Sequence, residues 1–202
     1  MSVESRQTGL LFVLSGPSGV GKDAVMARLR EQGFPLRFAV TVTTRPPREG
    51  EVHGVDYFFV SDAEFDRMLA ANELLEWAVV HGRRYGVPRE QVREIVQAGE
   101  DILMRVDVQG AATIRAKVPG AVLIFLAPPS MESLKARLSR RATETPEELA
   151  TRIANAAEEM KRLPEFDYKV VNPDDGLDEA VEKVKAIVVA EKCRVHRRQV
   201  VV

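Results

Sequence analysis

The stretch Leu10–Arg30, LLFVLSGPSGVGKDAVMARLR, decides how this chain is read. It opens with an apolar run, Leu10 to Leu14, of the kind a fully buried parallel strand shows. The run breaks into Ser15-Gly16-Pro17-Ser18-Gly19-Val20-Gly21-Lys22 and resumes at Asp23, with Val25, Met26 and Leu29 at helical spacing. Strand, glycine-rich turn and helix start are the setting a phosphate-binding loop needs. The glycines let the backbone curl so that several N–H groups face one anion, and the helix N-terminus adds partial positive charge. Lys22 is placed to reach the β- and γ-phosphates of a nucleoside triphosphate as a point charge.

One position departs from the usual loop, G-x-x-x-x-G-K-[ST], whose hydroxyl helps hold Mg²⁺. Here it is Asp23. A carboxylate oxygen also ligates Mg²⁺, but it adds negative charge beside the phosphates. An acidic residue in a first helical turn is also favoured by the helix dipole alone.

Outward from this stretch, the 202 residues suggest one domain, with room for an inserted subdomain. Hydrophobic residues make up 45% and charged residues 29%, a balance typical of soluble globular chains. The formal net charge of −1 implies no global pull toward nucleic acid or membrane. Cys193 is the only cysteine, which fits a reducing compartment. No signal-like N-terminal core and no membrane-length apolar run is present, so a cytoplasmic location is expected. His53 and His81 lack metal-ligand spacing.

Beyond the first helix, Arg37 to Val42 reads as a short strand running into Thr43-Thr44-Arg45-Pro46-Pro47-Arg48. Two arginines around two prolines make a stiff cationic loop, and guanidinium forks suit phosphate. A turn and an aromatic strand (Tyr57 to Val60), a helix capped by Ser61 and a strand from Leu74 to Val80 follow. Glu76 interrupts that strand, and a carboxylate there should have a partner. Residues 37–88 therefore read as a mostly β insertion between two helices of an α/β core. Strands are expected at Asp101–Val108, carrying Asp107 near its carboxyl end, at Ala121–Leu126 and at Tyr168–Val171. Helices are expected at Arg89–Ala98, Gln109–Lys117, Met131–Leu138, Glu147–Leu163 and Leu177–Lys192. The alternation predicts a parallel sheet covered by helices on both faces.

These residues resemble guanylate kinase, a nucleoside monophosphate kinase family. The likeness runs from GPSGVGK to the VVN near the end, and its most particular piece is Thr43-Thr44-Arg45-Pro46-Pro47-Arg48 followed by Gly50 to Val60. The resemblance implies a P-loop kinase fold over residues 8–202, with a GMP-binding insertion (37–88) and a helical lid (about 139–152). It implies transfer of the ATP γ-phosphoryl to GMP, and to dGMP, with Mg²⁺ as cofactor. Gly16, Pro17, Ser18, Gly19, Val20, Gly21, Lys22, Asp23, Arg137 and Asn172 would bind ATP, Asn172 close to the adenine. Thr41, Arg45, Arg48, Tyr57, Glu76, Tyr85 and Asp107 would bind GMP, Glu76 accepting from the guanine N1–H and amine. Lys22, Arg45, Arg141 and Arg152 would neutralise charge during transfer. Asp23 is the candidate metal ligand.

Three positions depart from the family pattern: Asp23 in the loop, Val87 where a hydroxyl residue commonly meets guanine, and Arg105 where the strand usually carries an additional aspartate. Asp23 and Arg105 together look like a charge exchange, and Asp23 is expected either to take over metal support or to pair with Arg105 when nucleotide is absent. GPSG-x-GKD and YGV are also similar to ribose 1,5-bisphosphate phosphokinase, a related family acting on a sugar phosphate. That family has no need of Glu76 or of the full segment from Thr43 to Val60. A non-catalytic interaction module of the same fold would be expected to lose loop glycines or lysine, and this chain keeps them.

Overall fold

The computed structural model describes residues 8–80, 82–139 and 145–202. Two sheets organise them. The larger is entirely parallel, in the order β2 (Arg37–Phe38), β7 (Ile102–Arg105), β1 (Leu11–Ser15), β8 (Val122–Ala127), β9 (Tyr168–Val171). β1 and β8 are buried along their whole length, which is why both read as continuous apolar runs rather than alternating ones. Helices α1 (Lys22–Glu31), α3 (Arg89–Gln97), α4 (Val108–Lys117), α5 (Met131–Ser139), α6 (Pro146–Met160) and α7 (Leu177–Lys192) surround this sheet. Val25 and Leu29 of α1, Val92 and Val96 of α3, Ile114 of α4 and Val181 and Val184 of α7 join its core.

The smaller sheet is mixed, in the order β4 (Tyr57–Phe59), β3 (Thr41–Thr43), β6 (Arg83–Pro88), β5 (Leu74–Val80). Helix α2 (Asp62–Ala70) covers it through Phe65, which packs with Val42 and Leu74 in a separate small core. Ser61 caps α2 by accepting from the Glu64 amide at 3.1 Å.

Three elements differ from their sequence reading. The strand expected over 37–42 is two strands in different sheets. Ala39 N–H still bonds Leu103 of the large sheet, Val40 N–H turns to the Gln91 side chain at 2.8 Å, and Thr41 begins the small sheet. Hydrophobic pattern does not register such a change of partner. β7 ends at Arg105, so Asp107 lies beyond it and caps α4, accepting from Gly110 N–H at 2.6 Å. α6 stops at Met160, and a 3₁₀ turn at Leu163–Glu165 follows, because Pro164 has no N–H to donate to the Met160 carbonyl and cannot continue the helix. At its start, Thr145 and Glu148 form a reciprocal capping box.

The tail after α7, unassigned from sequence, packs back on the core. Val200 is buried, and a side chain at Gly120 would collide with the Gln199 carbonyl. Arg198 bonds the fully buried Glu191 carboxylate at 3.1 Å, which also accepts from the Tyr168 hydroxyl at 2.6 Å.

Candidate active site

The glycine-rich loop leaves β1, the middle strand of the parallel sheet, at its carboxyl edge, where ligands of open α/β sheets gather. α1 starts after Gly21, whose φ of 101° is a left-handed conformation that side-chain-bearing residues rarely adopt. No side chain caps α1, so its first amides remain available to an anion. Lys22 Nζ donates to the carbonyls of Gly16 at 2.6 Å and Pro17 at 3.0 Å. Burial lowers its pKa to about 8, and the nearby Arg105 adds to that shift.

The loop is held from behind. Asn172, which follows β9 and is buried, donates through Nδ2 to the Val20 carbonyl at 2.8 Å. Arg137 of α5 donates to the same carbonyl at 3.1 Å, to the Asn172 carbonyl at 2.8 Å and to Asp174. Asn172 Oδ1 is buried with no hydrogen-bond partner among the described residues. From α6, Arg152 reaches the Ser18 hydroxyl at 3.3 Å, and Glu159 accepts from Ser18 N–H at 3.0 Å. Arg141 lies outside the described residues.

Across the carboxyl edge stands the small sheet. Arg45 forms a two-pronged pair with Glu51 at 2.8 and 2.9 Å, and its guanidinium lies 5.2 Å from the Tyr57 ring centroid. Tyr85 meets Tyr57 edge-on, with centroids 6.2 Å apart. Thr41 pairs with Tyr57 across β3 and β4. Arg48 is exposed, and its backbone N–H bonds Glu51 at 2.7 Å. Glu51 thus gathers both ends of the arginine loop, a role its spacing did not show because the prolines remove any helical period.

Glu76 is the unusual group here. Its residue surface is 6% exposed, and no described residue donates a hydrogen bond to its carboxylate. Burial first, and the negative Asp107 second, raise its pKa to about 7, with Lys117 opposing. Val87 lies directly opposite it across β5 and β6, so an apolar side chain stands where a hydroxyl was the family expectation. Gly110 of α4 makes room for it: a Cβ there would lie 2.8 Å from Glu76 Oε1. Sequence reasoning missed Gly110, since only the α4–β5 approach brings it against Glu76.

Arg105 forms an ion pair with Asp23, as the charge exchange in the sequence suggested. It also donates to the Tyr57 hydroxyl at 3.3 Å.

With this geometry in place, comparison with known proteins gives one answer. The family model for guanylate kinase matches residues 8–191. The chain belongs to the guanylate kinase family. A guanylate kinase from Caldanaerobacter subterraneus subsp. tengcongensis is 44% identical over 194 residues, covering 96% of this chain and 93% of the relative. Guanylate kinase 2, chloroplastic/mitochondrial, of Oryza sativa is 49% identical over 192 residues, 95% of this chain and 67% of its own length. Among solved structures, guanylate kinase from Anaplasma phagocytophilum superposes with a TM-score of 0.75 at 34% identity, covering 94% of this chain and 89% of its own.

Proposed function

We infer that the chain is an ATP:GMP phosphotransferase, converting ATP and GMP to ADP and GDP, and that dGMP serves as a second acceptor. The observation that carries the reading is Glu76. A nearly buried carboxylate without a donor is costly, and the guanine N1–H and exocyclic amine are two donors on one edge that would relieve the cost. A sugar bisphosphate offers no such edge, and the family assignment favours the guanine nucleotide over that alternative and over a non-catalytic module.

In this reading the loop amides, Lys22 and the start of α1 cradle the donor phosphates. Glu159 presently takes the Ser18 amide, and a phosphate oxygen would displace it there. Asn172 and Arg137 hold the loop's shape, and Asn172 Oδ1 is the acceptor available to an adenine amine. Arg45, Arg48, Tyr57 and Tyr85 receive the acceptor phosphate, for which Arg45 exchanges its Glu51 partner. Thr41 adds a hydroxyl beside Tyr57, and Asp107 acts on the base through Glu76. Arg152, which reaches the Ser18 hydroxyl, would neutralise charge on the transferred group, and the family resemblance gives Arg141 the same role. The acceptor phosphate is itself the nucleophile, so transfer needs alignment and charge neutralisation rather than a strong base.

Mg²⁺ fits this site. It takes oxygen ligands and is commonly held by one or two carboxylates together with substrate phosphates. Asp23, exposed on the first turn of α1 and engaged by Arg105 through Oδ1, has its second oxygen to offer. Bound with ATP, Mg²⁺ would supply positive charge to the phosphates. The described residues contain no group of three or more His, Cys, Asp or Glu side chains able to hold a metal. A cytoplasmic location and a place in purine nucleotide metabolism belong to the same reading. Among the described residues no helix is long and apolar enough to cross a membrane.

Glu76→Gln tests the reading. It exchanges one acceptor oxygen for a donor facing the guanine donors, so KM for GMP should rise at least about tenfold with KM for ATP unchanged. An unchanged KM for GMP would remove Glu76 from base recognition.

A further inference from the structure

The carboxyl edge of β7 carries a cation that the reaction scheme above does not use. Arg105 lies beside Leu14 in the parallel register, one residue before the strand gives way to the phosphate loop. Its guanidinium touches both halves of the cleft. One nitrogen pairs with Asp23 on the donor-side helix, and the other donates to Tyr57 of the acceptor-side sheet at 3.3 Å. An arginine has five N–H donors in a planar fork. Among the described residues no other group accepts from Arg105, so part of the fork is unused where the two sheets meet. Lys22 is close enough for Arg105 to depress its pKa. The guanidinium is also partly buried, its side chain 30% exposed, while that of Asp23 is 73% exposed. A cation bridging the two sides, with its anionic partner on the open end, can exchange that partner for a phosphate oxygen at little structural cost.

We propose that Arg105 is a phosphate-binding residue of the transfer step, contacting the phosphoryl group as it passes between the donor loop and the acceptor phosphate, with Asp23 holding the fork in place until phosphate arrives. This rests on the phosphotransferase reading given above. It differs from a purely structural role, in which Arg105 only neutralises the acid that this chain carries in its loop. A neutraliser becomes dispensable when that acid is removed, whereas a phosphate ligand does not.

The experiment is a double-mutant cycle of Arg105→Gln and Asp23→Ser, with ADP release measured at saturating ATP, Mg²⁺ and GMP. Affinity is measured alongside for a bisubstrate probe, adenosine and guanosine joined by five phosphates. For R105Q the expected result is a fall in kcat of about tenfold or more, with each KM changed less than kcat. Probe affinity should fall by more than the affinity for ATP or GMP alone, since only the probe fills the gap between the two sites. The double variant should be no faster than R105Q. Recovery of the double variant to the D23S rate, or an unchanged kcat in R105Q, would overturn the proposal. If R105Q does not fold, as judged by its thermal transition, Arg105→Lys decides. It keeps the charge and loses the fork, so kcat and probe affinity should both fall, and wild-type values for both would overturn the proposal. Wild-type protein without GMP turnover would instead sink the underlying reading, which keeps the two failures distinct.

Discussion

At the scale of single residues, the buried carboxyl of Glu76 costs the fold stability once it ionises. Its carboxyl is raised from 4.5 to about 7 in the fold by burial and by Asp107. A raised carboxyl binds its proton more tightly folded than unfolded. Its favourable contribution is therefore complete below pH 4.5 and is lost as pH climbs through 7. Glu76→Gln does not ionise, so at pH 8 it should be more stable than wild type by up to about 3 kcal/mol, the gap closing below pH 5. Urea unfolding at the two pH values reads this directly. A variant no more stable at pH 8 would mean the carboxylate is already satisfied in the fold. The sequence showed Glu76 as an interruption demanding a partner, and the charges of Asp23 and Arg105 as a pair. It did not show that Glu51 serves Arg45, that Gly110 makes room for Glu76, or that Glu159 faces Ser18. Each is a contact between elements with no sequence period to announce it.

At the scale of elements, the phosphate loop depends on what lies behind it as much as on its own glycines. Asn172 and Arg137 converge on the Val20 carbonyl from two different elements. Asn172→Ala removes one of these bonds, and Arg137 still satisfies the carbonyl, so the stability loss should be modest, about 1 kcal/mol. The loop's shape is the more sensitive readout: KM for ATP should rise several-fold while KM for GMP stays level. Equal rises in both would show that Asn172 supports the fold generally and not the loop. Element identity was legible because β1 and β8 are wholly buried and because Ser61 marks the start of α2. The division of residues 37–42 was not, because a strand's period is the same whichever sheet it joins.

At the scale of the whole molecule, two sheets meet at a cleft, and Leu75 and Val87 of the smaller one are buried in the main core. Arg105 meets Tyr57, and Lys117 Nζ donates to the Leu75 carbonyl at 2.7 Å. Such a joint suits a molecule that must bring two anions together and exclude water as a competing acceptor. ATP and GMP together should therefore reduce the radius of gyration seen by small-angle scattering, whereas identical profiles with and without both nucleotides would count against closure. The overall architecture was legible because alternating strands and helices around a phosphate loop permit few topologies. How the arginine loop and Glu76 meet the donor loop was not, since that depends on the angle between two sheets. The central claim, that this cleft moves phosphate from ATP to a guanine nucleotide, is tested most directly by ADP release with ATP and Mg²⁺. GMP, AMP, UMP and ribose 1,5-bisphosphate are offered separately as acceptors. The account predicts strong turnover of GMP and none comparable with the other three; turnover of the sugar bisphosphate without GMP activity would contradict it.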